Sequence, residues 1–600
     1  MAAAEEIRKR LEFLRAEMKH AGIDFYLMRS TDPHVSEYIG EYYRSTEYMT
    51  GCTSDNVTLI VDETEAYLWT DGRYFISAAG ELEGSGIRLM KLGQPGVPTP
   101  AEFLKNSLVK GSVLGFDGTC VSAAEGMKLR KIAGKAGAAT ETREDLASRI
   151  WIDRPQLPCS LVQTLPDELC GRTCEEKLEL VRQEVREAGA VHLLLSSLDD
   201  IMWVLNIRGS DVPCNPVALS FLLIGEQTAD LFIQNNAVSE PFKEYARDHR
   251  IKLHDYTEIL NYLRNYHFDG PIMCDPSSTN DALFDLLKEK EEIVAAPNPT
   301  SALKAVKNET EIKNIREFYL KDSVVLCRFI RFIKENAGSI AMTEWEAAEK
   351  LDSMRAEIPG FLSLSFPTIS AYGPNAAMAH YAPSQKASAE IRPEGFLLVD
   401  SGGQYLGATT DVTRTIAVGP LSAEMKRDFT LVAVSNLALL NAVYAKGTTG
   451  CQLDLIAREP LYRYRMDFNH GTGHGIGYIL NVHEGPQRIA HTPKDHIDAE
   501  MQPGMLTSDE PGIYREGQYG IRTETIMLSV PDTENEFGTF YRFEPLTFAP
   551  IDLDAVDPVY LDPAAAAELD AYHQLVREKV GPYLEGEDLE WLLKATRPIS

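Results

Sequence analysis

Acidic side chains recur at the ends of apolar segments in the C-terminal half of the sequence. Asp400 follows the apolar run 396–399, and Asp411 opens a second β-like segment eleven residues later. A carboxylate at the end of a buried strand is costly unless a positive charge compensates it. The turn-like Leu406-Gly407 pair allows a hairpin that brings the two aspartates together. Taken alone, both aspartates are more simply explained as turn residues that accept hydrogen bonds from backbone amides.

Three histidines, His470, His474 and His483, lie within fourteen residues of one another. The glycines interspersed among them disfavour a helix, which excludes a zinc-binding helix of the H-E-x-x-H type. Glycines beside histidines instead allow backbone and imidazoles to crowd around one point. A single core histidine is usually just hydrogen-bonded, but that explanation fits three clustered histidines poorly.

Two glutamates follow the histidines. Glu510 comes after an apolar segment and before a Pro-Gly turn, and Glu524 lies in a β-rich segment. Strand alternation would place Glu524 on one face with Arg522 and Ile526. Taken alone, Glu524 is equally consistent with the solvated face of an edge strand.

The residues Asp400, Asp411, His474, Glu510 and Glu524 together predict a metal centre. Four carboxylates cannot share a buried pocket as bare charges, because their repulsion would raise the pKa values and neutralise some of them. Two divalent cations would balance the charge, and oxygen-rich ligation with one imidazole favours Mn²⁺ over a thiolate-type zinc site. Two neighbouring metal ions activate a bridging water, which predicts hydrolysis.

An internal repeat and two proline-containing linkers organise the chain. Segment 178–194 repeats segment 11–27 as an amphipathic helix, a glycine and an apolar strand, which predicts two related α/β domains. Chance similarity of two amphipathic helices is the alternative. The fold class expected from this repeat is α/β (α+β). Linkers at 154–171 and 295–312 predict domains at 1–155, 156–302 and 303–600.

Composition narrows the possible partners. The 600 residues carry 59 Lys and Arg against 89 Asp and Glu, a net charge of −30. Such a surface repels phosphate, so no nucleic-acid or membrane partner is expected. Nine scattered cysteines suggest a reducing compartment. The start of the chain has no secretory pattern, and the sequence has no apolar run long enough to span a membrane, so we expect a cytoplasmic protein.

The ordered set of five residues resembles the dinuclear site of the M24 "pita-bread" metallopeptidases. The matching segments are VDSGGQY, TTDVTRT, HGTGHGIG, SDEPGIY and IRTE. His380 in PNAAMAHY and His483 in NVHEGP indicate the proline-specific branch, and the resemblance covers the whole chain. Two creatinase-like domains and a pita-bread domain with a C-terminal extension are implied.

The resemblance also implies an activity and a ligand set. The activity is release of the N-terminal residue from peptides with proline in the second position. Asp411 and Glu524 would bridge both ions, Asp400 would complete one, and His474 with Glu510 the other. A hydroxide bridging the ions would attack the Xaa-Pro carbonyl, and Glu510 would shuttle the proton.

The same resemblance assigns the histidines to the substrate. His380 would stabilise the developing oxyanion, and His483 would hold the substrate backbone on the proline side. His470 would line the cleft, and His474 would face the substrate as well as the metal.

Three further residues receive roles by resemblance. Tyr514 and Arg522 would orient the ligand carboxylates. Arg73, in WTDGRYF, would reach the substrate from the first domain of a partner subunit in a homodimer. The simpler interpretation of Arg73 is a local salt bridge.

Two other functions remain open at this point. One is a non-catalytic scaffold on the same fold, which the presence of all five ligand types disfavours. The other is a prolidase that cleaves only dipeptides, which the large N-terminal half disfavours. The sequence departs from the family pattern at Ile513, Thr523 and Thr525, and none of these departures removes a metal ligand.

Overall fold

The computed structural model describes residues 2–493 and 498–599. The chain forms two compact units, one of Met1–Asp167 with Arg172–Ser301 and the other of Glu168–Gly171 with Ala302–Ser600. Within the described residues, no helix has both the length and the apolarity needed to cross a bilayer.

The first half of unit 1 is a six-stranded mixed sheet. Its strands are β1 Phe25–Arg29, β2 Thr58–Asp62, β3 Ala66–Thr70, β4 Ile87–Lys91, β5 Val113–Phe116 and β6 Ala139–Glu141. Its helices are α1 Ala2–Ala21, α2 Ser45–Thr50, α3 Phe75–Glu81, α4 Pro100–Ser107, α5 Ala123–Ala136 and α6 Leu146–Ile150. The strands lie in the order β4-β3-β2-β1-β5-β6.

The second half of unit 1 contains another six-stranded sheet. The strands from this part of the chain are β7 Gln163–Thr164, β8 His192–Leu195, β9 Ile207–Arg208, β10 Ser220–Ile224, β11 Ala229–Ile233, β12 Ile251–His254, β13 Ile272–Cys274 and β14 Ile293–Ala295. The helices of unit 1 in this part of the chain are α8 Cys174–Glu187, α9 Leu198–Val204, α10 Glu240–Asp248, α11 Ile259–Asn265 and α12 Asp281–Lys290. Two further helices include residues of both units, α7 Asp167–Cys170 and α13 Pro299–Ala305. The sheet order is β12-β11-β10-β8-β13-β14, while β7 and β9 pair separately.

The two sheets share one topology, which confirms the predicted repeat. In each, the first strand pairs antiparallel with the second and parallel with the fifth. The helices α1 and α8 bury apolar stripes, among them Leu11, Leu14, Leu178 and Val181. The repeated pattern therefore marks the same helix-then-strand unit in both halves.

Unit 2 is built from small antiparallel sheets and long helices. Its strands are β15 Phe361–Leu364, β16 Ile369–Tyr372, β17 Phe396–Ser401, β18 Gly403–Tyr405, β19 Ala408–Thr409, β20 Val412–Ala417, β21 Val443–Ala445, β22 Gly473–Gly475, β23 Glu484–Ile489, β24 Leu506–Asp509, β25 Gly512–Arg515, β26 Tyr519–Arg522, β27 Thr525–Asn535 and β28 Gly538–Pro545. Its helices are α14 Glu309–Asn336, α15 Glu344–Ala356, α16 Ala423–Leu440, α17 Gly450–Tyr462, α18 Pro563–Val580 and α19 Gly586–Ala595.

Two sheets of unit 2 position the acidic residues. One has the order β16-β17-β20, and the other runs β21-β28-β27-β24-β22-β23. Helix α14 begins at a capping box in which Asn308 and Glu311 satisfy each other's backbone amides, as a helix start of this kind requires. The mixture of parallel, antiparallel and helical layers confirms the predicted fold class.

Candidate active site

The two aspartates lie on neighbouring antiparallel strands. Asp400 is near the end of β17, where it stands opposite Thr413 of β20, and Asp411 immediately precedes β20. Both are buried, at 9% and 4% exposure. The predicted hairpin is confirmed, with β18 and β19 inserted in the connection between its two strands.

Close backbone packing positions His474 and Glu510. His474 is central in β22, and a Cβ on the adjacent Gly473 would lie 1.8 Å from the Ser508 carbonyl oxygen. Only glycine permits that approach. The Ser508 hydroxyl accepts the His474 N–H at 3.0 Å and donates to Glu510 Oε1 at 3.2 Å. The glycines therefore bring the histidine strand against the end of β24.

Glu524 reaches the same place from a break in a strand. The expectation that Glu524 alternates within a continuous strand is wrong, because β26 ends at Arg522 and β27 begins at Thr525. The Glu524 N–H donates to the Thr413 carbonyl at 3.1 Å, and Thr413 Oγ1 donates to Glu524 Oε2 at 2.9 Å. Pairing with the neighbouring strand β20 through Thr413 therefore holds Glu524 in the site.

These contacts gather a set of oxygen and nitrogen atoms suited to a metal ion. Asp411, His474 and Glu524 each offer a ligand atom within 4.8 Å of the others. His474 Nε2 lies 3.5 Å from Asp411 Oδ2 and 3.5 Å from Glu510 Oε1. Among the described residues, no hydrogen-bond partner approaches the buried Oδ1 of Asp400. A buried acceptor oxygen beside three other carboxylates fits a divalent cation.

The electrostatics of the site agree with its donor set. Burial raises the pKa of Asp400 to about 6, and the charges of Asp411 and Glu510 add to the increase despite the opposing Arg522. Burial also raises the pKa of Glu510 and raises that of Glu524 well above the ordinary range. Protons therefore compete with cations for these carboxylates.

The pKa of His474 is also raised, but by its charged neighbours and not by burial. Burial by itself lowers its pKa, but the hydrogen bond to Asp411 and the charges of Glu510 and Asp411 outweigh burial and raise the pKa to about 9. Without a metal ion the imidazole is therefore protonated at neutral pH and forms part of the countercharge. It must lose this proton to act as a metal ligand.

Arg522 supplies the fixed positive charge. Its Nη2 donates to Asp400 Oδ2 at 2.5 Å, its Nη1 to the Tyr514 hydroxyl at 2.7 Å and its Nε to Thr413 Oγ1 at 3.1 Å. Three directed hydrogen bonds hold the guanidinium rigidly, which orients the Asp400 carboxylate. The structure thus brings Tyr514 and Arg522 together beside the acidic cluster.

The structure places the other predicted histidines around the cluster through different contacts. The rings of His474 and His483 pack edge to face with centroids 4.3 Å apart, and His470 packs against Tyr514 at 5.4 Å. His380 is exposed on a loop, and the carbonyl of the preceding Ala379 accepts from Arg522 Nη2 at 3.5 Å. His470 and His483 therefore pack against residues of the site, while for His380 it is the preceding backbone that contacts Arg522.

Arg73 lies in unit 1, just after β3. Its Nε and Nη2 both donate to Asp71, each at 2.9 Å, and Asp71 also accepts from Asn56 at 2.8 Å. The local salt bridge, which is the simpler interpretation, is present. The expected role toward a partner's substrate stays a prediction.

Two site residues escaped the sequence analysis, Thr413 and Ser508. Each lies two positions from a predicted ligand, Asp411 or Glu510, that directly adjoins the same strand, and an extended backbone continued through the ligand places both side chains on one face. Both hydroxyls hydrogen-bond to glutamates of the cluster. The period-two rule was the signal that could have found them.

An oxygen-rich cluster with one imidazole, set among antiparallel strands, is the kind of site that metal-dependent hydrolases use. Comparison with known protein families agrees. Residues 313–530 match "Metallopeptidase family M24" and 539–599 match the "C-terminal region of peptidase_M24". Residues 10–147 and 153–311 each match the "Creatinase/Prolidase N-terminal domain".

Individual relatives match over nearly the whole of this chain. Aminopeptidase P2 of Arabidopsis thaliana is 36% identical, with 96% of this chain and 86% of the relative covered. The probable Xaa-Pro aminopeptidase P of Talaromyces marneffei is 35% identical over 98% of this chain and 92% of the relative. The chain therefore belongs to metallopeptidase family M24, on its aminopeptidase P branch, and is a hydrolase with creatinase-type domains before a pita-bread domain.

Solved structures share this architecture in whole or in part. The crystal structure of X-prolyl aminopeptidase from Caenorhabditis elegans, described as a cytosolic enzyme with a di-nuclear active site, superimposes with a TM-score of 0.94. Its identity is 33%, and both chains are covered completely. An Xaa-Pro dipeptidase from Bacillus anthracis has a TM-score of 0.51 at 26% identity, covering 64% of this chain and 99% of the other.

Proposed function

We propose that this enzyme releases the N-terminal residue from peptides that carry proline in the second position, using two Mn²⁺ ions. The observation that carries the proposal is the convergence of Asp411, His474 and Glu524 on one point. The aminopeptidase P relatives and the C. elegans X-prolyl aminopeptidase support the substrate class.

The proposed metal ligands are Asp400, Asp411, His474, Glu510 and Glu524. Asp411 and Glu524 would be shared between the two ions, Asp400 would complete one, and His474 with Glu510 the other. When bound, such ions make a nucleophile available at neutral pH by lowering the pKa of water. The buried carboxylates match this charge requirement, because two divalent cations neutralise four negative charges.

The other side chains would bind and orient the peptide. Glu510, whose pKa burial already raises, would hold and pass on a proton during hydrolysis. His380 would donate to the developing oxyanion, and His483 would hold the backbone on the proline side. His470 and His474 would line the same cleft.

Proline in the second position removes a backbone hydrogen-bond donor that peptidases ordinarily use. The Xaa-Pro bond has no N–H and its φ angle is restricted, so a peptidase that grips an extended chain through that amide fails. A site whose contacts come from imidazoles and fixed charges does not need that donor.

Several further properties belong to the same proposal. We propose domains at 1–155, 156–302 and 303–600, a homodimer in which Arg73 contacts the substrate of its partner subunit, and a cytoplasmic location. The cytosolic description of the C. elegans enzyme supports the location. The net charge of −30 supports peptides rather than nucleic acid or membrane as partners,.

A substrate comparison tests the proposed activity. With Mn²⁺ present, we expect hydrolysis of the tripeptide Arg-Pro-Pro after its first residue, and at least about tenfold lower kcat/KM for an Xaa-Pro dipeptide, since a dipeptide lacks the remote contacts that promote turnover. Product analysis by mass spectrometry measures both. Preference for the dipeptide would indicate a prolidase, and no cleavage of either would indicate a scaffold.

A substitution at Arg522 tests how the metal ligands are oriented. Because Arg522 holds the Asp400 carboxylate in place by a hydrogen bond, Arg522→Met should release that carboxylate from its orientation and weaken Mn²⁺ binding about 10- to 100-fold. Competition against a chromophoric chelator measures the affinity. Arg542→Met, which changes an arginine half-exposed on β28, is the matched control, and equal affinities for the two variants would contradict the assignment.

A further inference from the structure

A fully buried carboxylate stands at the start of helix α15. Glu344 is the first residue of that helix, and its exposure is 0%. Among the described residues, no lysine, arginine or histidine lies within ion-pair distance of it. A buried carboxylate without a countercharge costs several kcal/mol unless hydrogen bonds and a helix N-terminus compensate it.

Hydrogen bonds from a single loop supply that compensation. Glu344 Oε1 accepts the Tyr372 N–H at 2.6 Å and the Asn375 amide at 3.0 Å. Oε2 accepts the Tyr381 hydroxyl at 2.7 Å, the Ala389 N–H at 2.8 Å and the Asn375 amide at 3.1 Å. These donors span residues 372–389, named here the His380 loop. One side chain therefore ties the beginning, the middle and the end of this loop together.

The opposite side of the His380 loop contacts β26 and Arg522, next to the acidic cluster. The Ala379 carbonyl accepts from Arg522 Nη2, which also donates to Asp400. A Cβ on Gly520 of β26 would lie 1.7 Å from the Ala376 carbonyl oxygen, so the strand backbone packs directly on the loop. His380 thus lies between one anchor at Ala379 and another at Tyr381.

We propose that Glu344 is a positioning residue that sets where the His380 imidazole stands relative to the cluster. The inference rests on the proposed function, in which His380 donates to the oxyanion. An acceptor-only carboxylate suits the role, because all of its loop partners are donors. The fold would then keep this carboxylate buried, despite its desolvation cost, because the carboxylate holds the exposed His380 in position.

The test is Glu344→Gln, assayed on Arg-Pro-Pro with Mn²⁺. The glutamine amide replaces one acceptor oxygen by a donor, so at least two loop donors lose their partner. We expect kcat to fall about 10- to 100-fold with KM changed less than about threefold, since oxyanion contacts act in the transition state. Mn²⁺ content and thermal midpoint are measured on the same samples.

A double-mutant cycle with His380→Ala separates positioning from general loss of structure. If Glu344 acts through His380, adding Glu344→Gln to His380→Ala should lower kcat by less than about threefold. Independent, multiplicative losses would overturn the proposal. Glu346→Gln is the matched control, because Glu346 lies two residues further along the same helix, is exposed, and forms its hydrogen bonds among the described residues with Thr343. This variant should keep the wild-type kcat.

A milder variant keeps the test decisive if Glu344→Gln does not fold. Tyr381→Phe removes one donor to Glu344 and should lower kcat about 3- to 10-fold in the same direction. A kcat within twofold of the wild type for Tyr381→Phe would overturn the inference in that case. Failure of the wild-type enzyme to cleave Arg-Pro-Pro would instead reject the proposed function.

Discussion

Asp411→Asn is expected to reduce hydrolysis of Arg-Pro-Pro by at least about 10³-fold, to the level of the assay background. Asp411 lies at the centre of the cluster, within reach of His474 and Glu524. Removing its charge takes away a proposed shared ligand, so both metal sites lose affinity together. Steady-state kinetics over a range of Mn²⁺ concentrations measures the loss.

The same substitution should leave the stability of the metal-free protein nearly unchanged. The charge of Asp411 raises the pKa values of Asp400 and Glu524, but its hydrogen bond and charge also raise the pKa of His474, so its removal takes away a repulsion and an attraction together. We expect the thermal midpoint of the metal-free variant to change by less than about 2 °C. Asp532→Asn, on the exposed part of β27, is the control for both measurements. Near-normal turnover in Asp411→Asn would refute the assigned role.

Chelation of metal is expected to abolish activity reversibly, and the affinity for Mn²⁺ is expected to rise with pH. Raised carboxyl pKa values mean that the metal-free site holds protons, with Asp400 titrating near 6 and His474 near 9. Cation binding must displace these protons, so affinity should increase about tenfold per pH unit or more between pH 5 and 8. Calorimetry in buffers of different ionisation enthalpy counts the protons released.

The stability of the metal-free protein should change with pH in the opposite direction. Asp400 ionises at an ordinary value of 3.8 when unfolded and at about 6 when folded. Between those values the folded state keeps a proton that the unfolded state has lost, so stability falls as pH rises, by about 1.4 kcal/mol per pH unit for this one group. Thermal midpoints measured with and without Mn²⁺ should therefore diverge as pH rises. An affinity that does not vary between pH 5 and 8 would contradict the ligand set.

Much of the architecture could be read from local patterns. The repeat at 11–27 and 178–194 marked two domains because the same helix and strand periodicity generates the same sheet order,. The hairpin that carries Asp400 and Asp411 followed from two apolar runs around a turn. Those features depend on neighbouring residues in the chain, so the chain itself carries their signal.

Strand breaks and long-range contacts could not be predicted from local sequence patterns. The break between β26 and β27 places Glu524 in the site through Thr413, which is 111 positions away in the chain. Alternation within one segment cannot report a contact made with another. The same reason explains why Glu344 escaped notice: its partners lie 28 to 45 positions further along.

The order and chemical types of Asp400, Asp411, His474, Glu510 and Glu524 predicted a metal centre, because four carboxylates that share a buried pocket need either protons or cations to balance their charge. Only the tertiary structure decided how close they come, which proton each retains, and which buried groups hold the surrounding loops. Those quantities arise from distances and desolvation between segments far apart in the chain, and local sequence does not encode them.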